Sequence, residues 1–193
     1  MSFHVVRFED VKPQPWKNGG GVTRELLAWP NADEWVVRLS VADIERDGPF
    51  SAFPGIDRWF AVLSGNGVRL GVSETVIKRG DEAVNFDGAL TPDCKLIGGS
   101  TRDLNLMIRR EAASGWMKRI TAGFEFPVVD MAAAHSGVFA VDGCTLRPAK
   151  SPAIEVAPMS LVWCGGTSDS YELGTIECDA SALSFGFQCA VNP

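Results

Sequence analysis

Twenty glycines and eleven prolines are spread along 193 residues, and they leave few uninterrupted stretches long enough for a helix. What lies between them alternates. Trp35, Val37, Leu39 and Val41 fall on one face of an extended segment, with Arg38 and Ser40 on the other, the period of two that marks a strand. Residues 3–8, 74–77, 82–86 and 103–109 read the same way. Residues 58–63 and 68–72 flank Ser64-Gly65-Asn66-Gly67 and read as a β-hairpin. Only residues 112–116 tempt towards a helix. Many short strands with turns this frequent predict an all-β sandwich or barrel.

An internal repeat sharpens that expectation. Residues 77–88 lie over residues 154–165 at an offset of 77, with Val84 over Leu161 and Phe86 over Trp163. Upstream, Phe60-Ala61-Val62 returns as Phe139-Ala140-Val141 at an offset of 79, each followed by a turn glycine, Gly65 or Gly143. A shared order at a nearly constant offset predicts a duplicated β-unit. Composition excludes other classes. With 46% hydrophobic and 22% charged residues the chain reads as a globular protein. A net charge of −6 with no basic run argues against a nucleic-acid or membrane-surface partner. No signal-peptide pattern opens the sequence and no apolar run approaches membrane-spanning length. Five cysteines without a CxxC pair are expected to be reduced thiols, so the cytoplasm is the expected compartment.

Chemistry concentrates in Trp16-Lys17-Asn18-Gly19-Gly20-Gly21-Val22-Thr23-Arg24-Glu25-Leu26. Three glycines bare the backbone amid an indole, a carboxamide, a hydroxyl, a guanidinium and a carboxylate. The stretch reads either as a tight turn entering a strand or as one wall of a small-molecule site. It is not a nucleotide loop, because no Gly-Lys-Ser/Thr follows at the required spacing. In an extended segment Thr23 and Glu25 share one face and Arg24 takes the other. Only one of Arg24 and Glu25 should then enter a pocket; Glu25 is favoured, and a bulge among the glycines would reverse the choice.

The first half resembles a cupin, the small double-sheet jelly roll. Gly65 follows Arg58 by seven residues, so Arg58 takes the place of the cupin metal-binding glutamate. The histidine places fall on Ser51 and Phe53, or on Ala52 and Pro54. Gly80, Phe86 and Gly88 keep the spacing of the second cupin motif, with Thr91 where its last histidine would stand. The glycine skeleton survives while the ligand positions are replaced, so no metal and no other cofactor is expected. The chain's only histidines, His4 and His135, fall far apart in sequence and in different repeats. An arginine in place of a glutamate turns a cation site into an anion site, provided Arg58 faces the barrel. The alternative is a surface arginine paired with Asp57.

Trp16-Lys17-Asn18-Gly19-Gly20-Gly21-x-Thr23-Arg24-Glu25 resembles the signature of the HutD/Ves family, associated with bacterial histidine-utilisation operons. Trp35-x-x-Arg38-x-Ser40-x-Ala42, residues 48–58 and Asp103-Leu104-Asn105-x-Met107 resemble further blocks of that family, in its order. The resemblance is clear over residues 3 to 110 and weaker beyond. It implies a bicupin, two RmlC-like jelly-roll lobes in one chain, with residues 1–115 carrying a polar pocket and residues 116–193 a degenerate lobe. It also implies a regulatory role in histidine breakdown. In that reading Arg58 and Arg38 hold the carboxylate groups of a small anionic metabolite such as urocanate or N-formylglutamate. Asn18 and Thr23 give directional hydrogen bonds, and Trp16 and Phe53 apolar surface. Gly19, Gly20 and Ser40 complete the wall, and Asp103 and Asn105 orient the arginines.

Two function classes compete. A non-catalytic binder is favoured by the missing metal set and by the lack of any nucleophile–base pair or Gly-x-Ser-x-Gly elbow. The alternative is a metal-independent isomerase or hydrolase with Glu25 or Asp103 as general base. A carboxylate beside an arginine is expected to stay ionised and to be a weak base. Six tryptophans and few lysines would suit a homodimer.

Overall fold

The computed structural model describes residues 3–72, 76–120, 124–125, 134–147, 152–165, 175–177 and 182–189, in two compact units. One unit is Val11–Ala113; the other joins Met1–Asp10 to Ser114–Pro193. The first ten residues therefore belong with the second half of the chain. The strand His4–Arg7 pairs antiparallel with Ser160–Gly165, His4 opposite Trp163. That contact brings the two histidines into one unit. The rings of His4 and His135 lie 4.8 and 6.3 Å from the Trp163 ring, and His135 stacks on Phe187 at 4.6 Å.

Each unit is two facing antiparallel sheets, and both repeat one strand order. In the first unit, Val37–Ile44, Thr101–Arg109, Ile56–Ser64 and Val84–Asp87 lie side by side, extended at one edge by Gly21–Trp29 and Gln14–Pro15. In the second, Ala113–Ile120, Ala182–Cys189, Ala134–Ala140 and Ser160–Gly165 run in the same order, with His4–Arg7 added at the far edge. The smaller sheets correspond as well. Gly48–Pro49, Asp93–Leu96, Val68–Leu70 and Val76–Ile77 answer to Phe124–Glu125, Thr175–Glu177, Cys144–Arg147 and Ile154–Val156. This is the all-β, cupin-like architecture expected.

The repeat holds, but its register differs from the sequence alignment. Phe60, Val62 and Phe86 bury into the sandwich interior of the first unit with Val68, Leu70, Ile77 and Cys94. In the second unit the interior side chains are Val138, Ala140, Val162 and Cys164, not Phe139 or Trp163. Strand pairing agrees: Phe60 lies opposite Asn105, and Val138 opposite Ser184. One residue of slip in a strand exchanges its two faces. The Phe-Ala-Val match therefore superposes opposite faces, and the structural offset along this strand is 78.

Two further expectations change. Residues 58–63 and 68–72 do not form a hairpin: Ile56–Ser64 pairs with 101–109 and 84–87, while Val68–Leu70 pairs with 93–96 and 76–77 in the opposite sheet. Gly65 and Gly67, at φ of 92° and 97°, turn the chain from one sheet to the other. Both flanking segments send alternate side chains into the same core, so periodicity could not separate a hairpin from a crossover. Residues 112–116, read towards a helix, open the strand Ala113–Ile120, where pairing in a sheet overrides the short alanine-rich run.

Candidate functional site

Cross-strand register assembles a site from segments far apart in sequence. On the interior face of the larger sheet of the first unit, Arg38, Met107 and Arg58 form one row across three strands. Ser40, Asn105 and Phe60 form the next, and Ala42, Asp103 and Val62 a third, offset on one side by an irregularity between Arg102 and Asp103. The neighbouring strand brings Thr23 opposite Ala42 and Glu25 opposite Ser40. Residues 14–18 and 49–53 wall the remaining sides of a cavity of about 410 Å³, a size suited to a small metabolite.

Arg58 is the dominant group. It is 4% exposed, and its guanidinium carbon lies 5.0, 5.2 and 5.4 Å from the ring centres of Phe86, Phe50 and Phe53. Three rings at cation–π distance surround it. Nη2 donates to Asn105 Oδ1 at 3.2 Å and Nη1 to the Ser51 carbonyl at 3.3 Å, while Nε has no partner. Among the described residues no carboxylate is in ion-pair contact with it; Asp57, the surface partner weighed from sequence, binds Arg110 at 2.6 Å. Burial, together with nearby Arg38, lowers the guanidinium from its ordinary 12.5 to about 10, against the opposing pull of Asp103. Asn105 is a relay. Its Oδ1 accepts from Arg58 while its Nδ2 donates to Asp103 Oδ1 at 3.1 Å. Asp103 is 1% exposed, and burial pushes its carboxyl up to about 7, outweighing the Asn105 hydrogen bond and the Arg58 charge.

Trp16, Asn18, Thr23, Arg38, Ser40, Phe53, Arg58, Asp103 and Asn105 line the cavity. Gly19, Gly20, Arg24 and Glu25 do not. Gly20 instead accepts from the amides of Glu45 and Arg46, and its own N–H donates to Asn18 Oδ1 at 3.0 Å. Gly21 lies so close to the Asp43 carbonyl that a Cβ there would fall on its oxygen. The glycines thus lock the strand entry to its neighbour. Arg24 turns to the other face, 3.5 Å from Asp43, and Glu25 holds Arg38 Nε at 2.6 Å. Glu25 is therefore on the cavity side of the strand with Thr23, reaching the site through Arg38. The bulge comes after Glu25, between it and Leu27, too late to reverse the faces of Thr23 and Arg24. Thr23 Oγ1 accepts from Trp16 Nε1 at 2.7 Å, which fixes the indole at the mouth.

Sequence reasoning missed Phe50, Phe86 and Met107 as surroundings of Arg58; their spacing is that of ordinary core positions. Gln14, Pro15 and Lys17 at the mouth carried no signal beyond their nearness to the glycines. Ser51 and Phe53, two of the cupin histidine places, do line the cavity, whereas Thr91 is exposed elsewhere. A hydroxyl, a phenyl ring and a guanidinium offer a divalent cation no ligand set. The second unit has no charged counterpart among its described residues. The places of Arg58, Asn105 and Met107 are taken by Ser136, Ser184 and Gly186, and the Trp116 ring lies against Gly186. Residues 167–170, which by sequence stand where the first lobe has its charged set and suggest only a structural remnant, lie outside the described residues.

Similarities to known proteins agree with this architecture. A "21.2 kDa protein in hutC 3'region" of Pseudomonas putida, itself uncharacterised, is 41% identical over 109 residues, 53% of this chain and 56% of that one. Protein Ves of Cronobacter sakazakii is 34% identical over 113 residues, 55% and 62% of the two chains. The matches thus span little more than half the length of these relatives. Among solved structures, HutD from Pseudomonas fluorescens SBW25, in a formate condition, superposes with a TM-score of 0.82 at 24% identity, covering 98% of this chain and all of that one. A cupin 2 conserved barrel domain protein from Leptotrichia buccalis gives a TM-score of 0.52 at 9% identity over 97% and 96% of the chains. The family model HutD matches residues 8–177, a span holding the glycine stretch, all three rows of the site and most of the second unit, so the chain belongs to the HutD family.

Proposed function

We propose that this chain binds a small carboxylate without a metal, as a regulatory factor in histidine catabolism, with urocanate or N-formylglutamate as the ligand class. One observation carries the reading: a guanidinium buried in a cavity wall, ringed by three phenyl groups and, among the described residues, in ion-pair contact with no carboxylate. A buried guanidinium with no direct ion pair and an unpartnered Nε is costly, and an entering carboxylate would give it charge-assisted hydrogen bonds. Arg38 is already neutralised by Glu25, which makes Arg58 the primary anchor and Arg38 a positioning group. Ser40, Asn18 and Trp16 also line the cavity. Calorimetric titration with urocanate and N-formylglutamate tests the reading. Arg58→Lys, which keeps charge but loses the planar fork, should weaken binding at least tenfold. Unchanged affinity in that variant, or no binding of any carboxylate by the wild type, refutes it. A cytoplasmic homodimer belongs to the same proposal, and sedimentation velocity tests its oligomeric part.

A second reading has its own observation. Asp103, expected to stay ionised and weakly basic, is pushed by burial to about 7, where a general acid–base group works best. Glu25, gripped by Arg38, is poorly suited to that role. Turnover of either acid by clean wild-type protein over hours, followed by NMR, would favour the enzyme.

A further inference from the structure

Asp103 is the other ionisable group buried in the cavity wall, and carboxylate binding as described leaves it without a role. It is joined to Arg58 only through the Asn105 amide, at 3.1 and 3.2 Å on its two sides. The charges around it come from every adjoining strand. Arg58 faces it from 56–64. Arg38, from 37–44, is tied to Glu25 of 21–29. Asp43, on the reverse side of 37–44, is held by Arg24 and Arg102 yet still adds to the negative potential at Asp103. From the facing sheet comes Cys94, whose thiol burial pushes up to about 12, with Asp103 and Asp47 adding to the rise; it stays neutral. The aromatic wall of Phe50, Phe53 and Phe86 brings no charge.

Among the described residues, the charged groups lining the buried end are thus Arg58, Arg38, which Glu25 neutralises from behind, and Asp103. A ligand carboxylate at Arg58 adds a negative charge where the dielectric is low and solvent is excluded. A proton on Asp103 restores the balance at least cost. We propose that the cavity takes up its carboxylate ligand together with one proton, which Asp103 accepts, so that the buried end admits a single anionic group. This inference rests on the anion-binding reading above. The proton comes from solvent, forms an O–H bond on the Asp103 carboxyl and returns to solvent when the ligand leaves. The protonated group still accepts from Asn105 through Oδ1 and gains a donor facing the cavity. Because burial has already brought Asp103 to about 7, the uptake falls in the physiological range. A second anionic group on the ligand would have to stay at the mouth, beside exposed Lys17.

Formate is the probe, since its own titration lies far below neutrality. Carbon-13 NMR of aspartate-labelled wild type should show the Asp103 carboxyl midpoint rising by a unit or more under saturating formate, against chloride at equal ionic strength. The formate Kd should be flat below pH 6, rise by up to about tenfold per pH unit between the ligand-free and formate-bound midpoints, and level off above them. Asp103→Asn should bind formate with a Kd independent of pH. If formate binds but neither the midpoint nor the Kd of wild type moves, the proton coupling is wrong and the anion site stands. If formate shifts no resonance of the wall, both readings fall. Should Asp103→Asn not fold, the wild-type titration decides alone.

Discussion

Replacing Arg58 by methionine should make the protein more stable while abolishing the proposed carboxylate binding. A guanidinium held at about 10 instead of 12.5 is disfavoured in the folded state by about 3 kcal/mol, at about 1.4 kcal/mol per unit. For a cation with a lowered folded value, that penalty is present in full at every pH below about 10, so it is complete at pH 7. Methionine keeps an unbranched stem and a polarisable tip among Phe50, Phe53 and Phe86. It leaves Asn105 Oδ1 and the Ser51 carbonyl without their donor, but the bonds it removes are long, 3.2 and 3.3 Å, and their loss costs about 1–2 kcal/mol. The balance is a gain of about 1–2 kcal/mol, or about 2–8 °C in Tm for a chain of this length. Calorimetry and urea unfolding at pH 7 measure it. An Arg58→Met variant less stable than wild type by more than about 1 kcal/mol would refute the reasoning, because Arg58 would then hold the fold together instead of straining it for binding.

Asp103 sets a slope in the stability–pH curve. Its folded value is raised from 3.8 to about 7, so its contribution is complete below about pH 4 and is lost as pH rises through about 7, a change of about 4 kcal/mol. Urea midpoints of Asp103→Asn between pH 4.5 and 8 should lack that decline; a slope equal to wild type would count against a buried carboxyl at this place. Gly21→Ala would put a methyl on the Asp43 carbonyl oxygen and should cost about 1–3 kcal/mol, visible as a lowered urea midpoint; a neutral outcome would mean the strand entry is looser than described.

Period-two alternation carried the strands and most of their faces. It placed Thr23 with Glu25 and opposite Arg24, and the ladder to 37–44 agrees until the bulge after Glu25. It could not say which buried face holds the cavity. Val37, Leu39 and Val41 are buried on one face and Ser40 and Ala42 on the other, so both sides of that strand read as interior. The rows that make the site depend on register between segments tens of residues apart. Arg58 meets Asn105 because 56–64 lies beside 101–109, and nothing local encodes that. The aromatic surround of Arg58 was invisible for a related reason: Phe50, Phe86 and Met107 obey the rule for core residues, and only a charged neighbour gives them another use. The glycines stood out most and were read one step too literally. They fasten residues 20–21 to residues 43–46, and the cavity lining begins on either side of them.

Val11–Ala113 is a continuous run, whereas the other unit is assembled from both flanks of that run. His4 waits for Trp163, so during synthesis the first strand leaves the ribosome well before its partner exists, by about 10–30 s at ordinary elongation rates. The continuous unit can reach its native ladder in that interval, and the orphan strand must stay unpaired without adding itself to the wrong sheet. Its three exposed positions, His4, Val5 and Arg7, include two polar side chains, which limits the appetite of a lone strand for a stray edge. The order of synthesis is thereby written into the topology: the unit that holds Arg58 and its cavity can mature early, and the other closes last, when the two flanks of the chain finally meet in one sheet.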